Sequence, residues 1–269
     1  MKKTLLALLN FAVIAIALTF FVLPVIAIFT HTGPGKLIHQ LSNPVVRDAL
    51  LVTLKSTLLA QAFIIGFGTP TAYFLATHRF PGHALLVSLV ELPIVLPPSV
   101  AGIGLLVAFG RFGLLGSDLF LFNLPAVVLA VMLVAGPFYV RQAITAFEAV
   151  DPNLQAASRT LGASPLRTFF RVTLPLALGG LIAGTAFSVA RGLGEFGATI
   201  MFAGSLQGRT QTLTLAIYGE FDRVDGLEIA LSISALLVIV SLSLLFSLKL
   251  VLAWQPSYLT SLSLFDRSR

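Results

Sequence analysis

The stretch DPNLQAASRTLGASPLRTFFRVTLP, from Asp151 to Pro175, interrupts two long apolar runs, and its reading decides the fold. Asp151-Pro152 is a helix start. Asp caps the first free N–H groups, and Pro suits the first helical position because its missing N–H would be unpaired there. Leu154, Ala157 and Leu161 then repeat at helical spacing and give a narrow apolar stripe. Gly162 ends the helix, since Gly readily takes the left-handed closing conformation. Ser164-Pro165 repeats the start signal and predicts a second short helix to about Val172. Leu174-Pro175 then opens the next apolar run. The expected product is a helix–turn–helix whose Ala156, Ala157 and Ser158 let another backbone come close. The same pattern also fits an ordinary surface helix between spans.

Outward from this loop the chain reads as membrane. Of its 269 residues, 57% are hydrophobic and 10% charged. Soluble domains carry about 25% charged residues. The mean hydropathy is +0.98. The apolar residues fall in blocks of the ~20 residues a helix needs to cross ~30 Å of hydrocarbon. Alternating segments of about ten residues, which would mark a β-barrel, are not visible. Six spans are expected, at 5–29, 50–77, 85–109, 124–146, 174–200 and 227–252. All lie in one transmembrane domain over 1–269, with 148–173 as a cytoplasmic loop. The fold class is an all-α polytopic membrane protein.

Lys2-Lys3 before an apolar run resembles a signal peptide, but Leu5 to Phe29 exceeds the 7–15 residues of a signal core, so it is read as the first span. With Lys2 and Lys3 inside, ten Lys and Arg residues fall at inner positions and five outside. That bias places both termini in the cytoplasm. The 201–226 segment becomes a long outer loop, either solvated or available to a soluble partner.

Charge and composition exclude several functions. The basic residues sit in short loops rather than in a patch with interleaved aromatics, so no nucleic-acid partner is expected. There is no cysteine, which removes disulfides, Cys-zinc sites and thiol catalysis. No metal site is expected. Gly33-Pro34-Gly35-Lys36 lacks the spacing and the Ser/Thr of a P-loop, so the chain does not hydrolyse ATP by that route. His78 and His83 lie in a short loop without Gly-x-Ser-x-Gly or His-Glu-x-x-His, which argues against an intramembrane hydrolase.

Polar and breaking residues inside the spans mark candidate path elements. Arg191 and Glu195 are four apart and can pair on one helix face. Charged groups at membrane depth face a cavity or each other. Gly180, Gly184, Ser188 and Gly192 recur every four residues as a ridge of small side chains. The ridge fits a dimer interface or packing within the chain. Pro93, Pro97 and Pro98 break or kink the third span, and irregular backbone at that depth survives only where protein or water covers it. Ser99, Thr185, Ser188 and Thr199 place hydroxyls within the expected spans.

Gln155-Ala156-Ala157, then Gly162, then Leu174-Pro175, resembles the Glu-Ala-Ala loop of ABC-importer permeases, with Gln155 where the family has Glu. The resemblance runs from about Leu50 to Lys249. It implies the type I ABC importer permease fold. It also implies that Asp151, Asn153, Gln155, Ala156, Ala157, Ser158, Gly162, Leu174 and Pro175 form a coupling helix for an ATPase subunit. Leu96-Pro97-Pro98-Ser99 and Gly194-Glu195-Phe196-Gly197-Ala198-Thr199, followed by Gly208-Arg209-Thr210-Gln211-Thr212-Leu213, look like the molybdate-type permeases of that family. Sulfate permeases carry a related Glu-Phe-Gly or Glu-Tyr-Gly segment. The implied partners are two ATPase subunits, a second copy of the chain, an extracytoplasmic molybdate-binding protein and membrane lipid. No cofactor is expected on this chain; ATP and Mg belong to the ATPase. Pro97, Pro98, Ser99, Arg191, Glu195 and Thr199 are then expected at the path or its gate. An ATP-independent channel or secondary transporter would not require the docking loop.

Overall fold

The computed structural model describes residues 2–116, 120 and 122–253. The expected cytoplasmic tail, 254–269, lies outside the described residues. Among the described residues, five helices are long and apolar enough to cross a membrane: Leu9–His31, Pro44–Thr77, Leu124–Glu148, Pro165–Leu193 and Leu227–Ser247. No strand occurs among the described residues. In chain order the helices are α1 (Lys2–His31), α2 (Pro34–Gln40), α3 (Pro44–Thr77), α4 (His83–Val95), α5 (Pro98–Phe109), α6 (Leu124–Glu148), α7 (Pro152–Thr160), α8 (Pro165–Thr168), α9 (Leu174–Leu193), α10 (Gly197–Phe202), α11 (Leu213–Phe221) and α12 (Leu227–Ala253).

The core is where α3, α6 and α9 meet. Ile64, Ala72, Val131, Tyr139, Ala143 and Leu181 are among its buried side chains. Small residues set the approach of α9 to α6. A Cβ on Gly180 would collide with Ala146, one on Gly184 would lie 3.1 Å from Gln142 Cβ, and one on Gly192 3.0 Å from Val131. The Ser188 hydroxyl donates to the Ala135 carbonyl at 3.0 Å. The Gly180, Gly184, Ser188, Gly192 ridge is therefore spent on packing within the chain. Across α3 and α6, the Thr69 and Tyr139 hydroxyls pair at 2.6 Å inside otherwise apolar surroundings.

Three expected boundaries are corrected. The third span, read as 85–109, is two helices bent by 113°. Pro97 and Pro98 withhold backbone donors, and Leu96, preceding a proline, is extended with ψ 134°. The fifth span, read to residue 200, ends at Leu193, and α10 restarts after Gly194-Glu195-Phe196. Glycines at 192, 194 and 197 weaken the helix there, and Glu195 supplies a cap for the restart. The short helix expected to stop near Val172 instead runs on into α9 through a π-helical turn, Phe169–Thr173. The wider turn makes room for the ring of Pro175, which would clash with the carbonyl four residues earlier in a regular helix.

The 201–226 segment is more than a solvated loop. It contains α11, whose Leu213 and Ala216 are buried with Val46 and Ala49 of α3 and Ile233 of α12. By contrast, α1 packs along α12, and none of its span window is buried within the chain.

Candidate functional sites: a docking helix and a broken-helix junction

At one end of the bundle, α7 stands on two caps. The Asp151 carboxylate accepts from the Asn153 N–H at 2.8 Å, with Pro152 at the first helical position. At the far end Gly162 has φ +84°, its N–H donates to the Arg159 carbonyl at 2.9 Å, and the Ala163 N–H reaches back to Ser158 at 3.1 Å. This left-handed closure ends the helix and turns the chain. Ser164 caps the next helix by accepting from the Arg167 N–H at 3.3 Å. The Ser158 and Thr168 hydroxyls, 3.1 Å apart, clip the two helices together.

No residue of α7 is buried. Leu154, Ala157 and Leu161, the predicted stripe, are all exposed, Leu161 to 88%. Gln155 and Ala156 instead turn toward the end of α3, where they line a cleft with Tyr73, Thr77, His78 and Arg159. The end of α3 is tied to the base of the loop by Arg79, whose guanidinium lies 2.9 Å from the Glu148 carboxylate. The two histidines close the turn between α3 and α4. His83 Nε2 donates to the Leu75 carbonyl at 2.8 Å, and the His78 ring stacks on Phe74.

The second site is where the two broken helices touch. A Cβ on Gly197 would lie 2.9 Å from Pro98 Cβ and 3.2 Å from the Ser99 N–H. One on Gly102 would lie 2.6 Å from the Ala198 carbonyl. The starts of α5 and α10 therefore meet backbone to backbone. Beside them Glu195 is 2% exposed. One carboxylate oxygen accepts from the Ala198 N–H at 2.7 Å and caps α10; the other is 2.9 Å from the Arg191 guanidinium. The Thr214 hydroxyl donates to the Glu195 carbonyl at 2.6 Å, and Thr53 accepts from the Leu213 N–H at 2.9 Å, so α11 locks the junction from the other side.

The predicted residues thus separate. Pro98, Ser99, Arg191 and Glu195 belong to this junction, with Pro97 and Ser99 exposed beside it. Thr199 is fully buried. Ser188 is occupied by the Ala135 carbonyl, and Thr185 lines an apolar cleft of about 730 Å³ between α3 and α9. Of these four hydroxyls only that of Ser99 is exposed, and Thr185 already donates to the Leu181 carbonyl at 2.9 Å. Two features escape a reading of the sequence. Arg141 and Glu91 pair across α6 and α4 at 3.5 Å, which no local spacing reveals. Lys55 is an exposed cation inside an expected span, and its charge in an apolar run is the signal that marks it.

The family described as the binding-protein-dependent transport system inner membrane component matches residues 68–255. The molybdenum transport system permease protein of Escherichia coli (strain K12) is 42% identical over 214 residues, covering 77% of this chain and 92% of the relative. A sulfate transport system permease protein of Synechocystis is 34% identical over 250 residues, covering 87% of this chain and 91% of the relative. Among solved structures, a bacterial ABC transporter involved in the import of the acidic polysaccharide alginate has a similar fold, with a TM-score of 0.74 at 14% identity over 94% of this chain and 97% of that one. The fold of this chain is that of the type I ABC importer permeases. The chain belongs to the binding-protein-dependent transport system inner membrane component family.

Proposed function

We propose that the chain is the membrane-spanning permease of an ATP-driven importer of molybdate, with tungstate as a close alternative cargo. The observation that carries the coupling role is α7: capped at both ends, with no residue buried and with Leu154, Ala157 and Leu161 exposed on one stripe. A helix built that carefully and then left bare suits a groove in another protein. The permease itself hydrolyses nothing. Two ATPase subunits, holding ATP and Mg, would take one α7 each from two copies of the chain. Closure of the ATPases would pull the two α7 helices together and switch which end of the path is open. The α7 end and both termini would face the cytoplasm of a prokaryotic cell, with an extracytoplasmic binding protein at the other end.

The cargo assignment rests on the Escherichia coli relative, matched over nearly its whole length. A path with few fixed cations also suits a dianion that must leave as readily as it enters. The test is uptake by the chain reconstituted with its ATPase and binding protein. ATP-dependent molybdate uptake, competed by tungstate and weakly by sulfate, is expected. Preferential sulfate uptake would move the chain to the side of the Synechocystis relative. Full-rate molybdate flux through the chain alone, without ATPase, would overturn the importer reading.

A further inference from the structure

Lys55 sits on α3, 22 residues before the helix ends at Thr77. At 1.5 Å per residue that is about 33 Å, close to the ~30 Å hydrocarbon thickness. With Thr77 at one boundary, Lys55 stands at the other, at headgroup level. It shares a pocket of about 150 Å³ with Arg209, Asp48 and Leu124. Arg209 is presented by an ordered turn, in which the N–H groups of Arg209, Thr210 and Gln211 all donate to the Leu206 carbonyl. The Asp48 carboxylate is held by Gln207 at 3.1 Å. Neither Lys55 nor Arg209 has an ion-pair partner among the described residues.

Directly below, Leu124 also lines a groove of about 430 Å³ between α3 and α6. Leu59, Phe63 and Phe67 form one wall and Leu124, Val128 and Met132 the other. All of its lining side chains are apolar. From Lys55 to Phe67 the helix advances about 18 Å, which matches one leaflet of a ~30 Å core. A cationic pocket thus opens onto an apolar groove one leaflet long.

We infer that this is the seat of one anionic phospholipid, its phosphate between Lys55 and Arg209 and one acyl chain along α3 in the groove. Two cations against one acid leave a single positive charge. That suits the one charge of a phosphodiester better than a tetrahedral dianion. The groove has no use for a free anion, and it lies on the opposite flank of α3 from the cleft shared with α9. Lipid anchored there would hold the 204–212 turn to α3 and α6.

The test is native mass spectrometry of the full transporter, washed free of lipid in mild detergent and titrated with dioleoyl phosphatidylglycerol or dioleoyl phosphatidylcholine. Wild type should retain one phosphatidylglycerol per permease in preference to phosphatidylcholine. Lys55→Gln with Arg209→Gln should weaken that binding ~30-fold, from the attraction of two surface cations. Leu59→Trp, which fills an exposed part of the groove without touching charge, should abolish it. Excess inorganic phosphate or molybdate should not displace the lipid. Unchanged binding in Leu59→Trp would overturn the proposal. So would displacement by a free oxyanion that still binds Leu59→Trp, since the pocket would then serve free anions. Should the double variant not fold, Leu59→Trp decides alone. Uptake is read separately, so failure of the molybdate assignment leaves the lipid result standing.

Discussion

The two ends of α9 are built on opposite principles. At its start, α7 and the turn after it are satisfied locally: each cap is made within a few residues, and the apolar stripe faces outward. At its finish, the Glu195 junction is satisfied by long-range partners. Arg191, the Ala198 N–H and the Thr214 hydroxyl converge on one buried residue, and α5 abuts α10 with no room for a side chain. The first end lacks an outer partner, as an element must if a second protein is to seat on it. The second is closed against itself, and any motion there must be made by α5 and α10 together. The proposed importer would use both, α7 as the handle that another subunit holds and the junction as the joint that passes the pull on.

The sharpest way to break this contrast is at the ion pair. Glu195 is buried and Arg191 is partly exposed, so removing either partner should not cost the same. Arg191→Met leaves a buried carboxylate without its counter-charge, and a loss of about 3 kcal/mol or more is expected. Glu195→Gln keeps an acceptor for the Ala198 N–H and leaves an arginine that can turn to water. It should cost about 1 kcal/mol. Thermal stability of the purified transporter, read by loss of the monodisperse peak after heating, checks the order. Equal, small effects would show that the pair does not brace the junction.

The small-residue ridge offers a second test. Gly180→Ala puts a methyl onto Ala146 and should destabilise by about 1–3 kcal/mol, as overpacking does. Adding Ala146→Gly should restore much of the loss, because the two residues are in contact and their effects should not add. Full additivity would place the ridge against something other than α6. It would also reopen the possibility of a dimer interface.

How much of this was legible in the sequence follows the same division. The caps Asp151 and Ser164 and the stop at Gly162 act on neighbours within three or four residues, so their spacing alone reveals them. The spans are legible because hydrocarbon demands length. The junction is not, since nothing near Glu195 announces that Pro98 or Thr214 will meet it. Pro97-Pro98 forecast a break, but a 113° bend depends on what α5 packs against. The small ridge was legible as a contact surface, yet its partner lay 34 residues away on α6, at Ala146. Ordinary helix periodicity also hid the join of α8 to α9, because a π turn absorbs Pro175 where a break was expected.

At the docking end the expected effects are smaller in stability and larger in coupling. A Cβ at Gly162 would meet nothing within 4 Å, so the cost of Gly162→Ala is the left-handed φ alone, about 1 kcal/mol. The chain should still insert and purify. ATPase retention during purification should fall, because the direction of the chain after α7 changes. Undiminished retention and uptake would mean that the closing turn does not position the handle.

Gln155→Glu is the gentlest probe, and it separates two uses of the same position. Gln155 is half-buried against Tyr73, Thr77 and His78 rather than set on the outward stripe. If its role is to seat α7 on its own chain, a carboxylate of nearly the same size beside Arg159 changes stability by under ~0.5 kcal/mol, as surface substitutions usually do. ATP-driven uptake then stays within about twofold, less than 0.5 kcal/mol in barrier terms. A large gain in ATPase affinity instead would show that this side chain reaches the partner directly. In that case α7 must rotate on docking, bringing residue 155 out of its cleft and breaking the internal fit with α3. The comparison of bound and unbound α7 would then become one of conformation as well as contact.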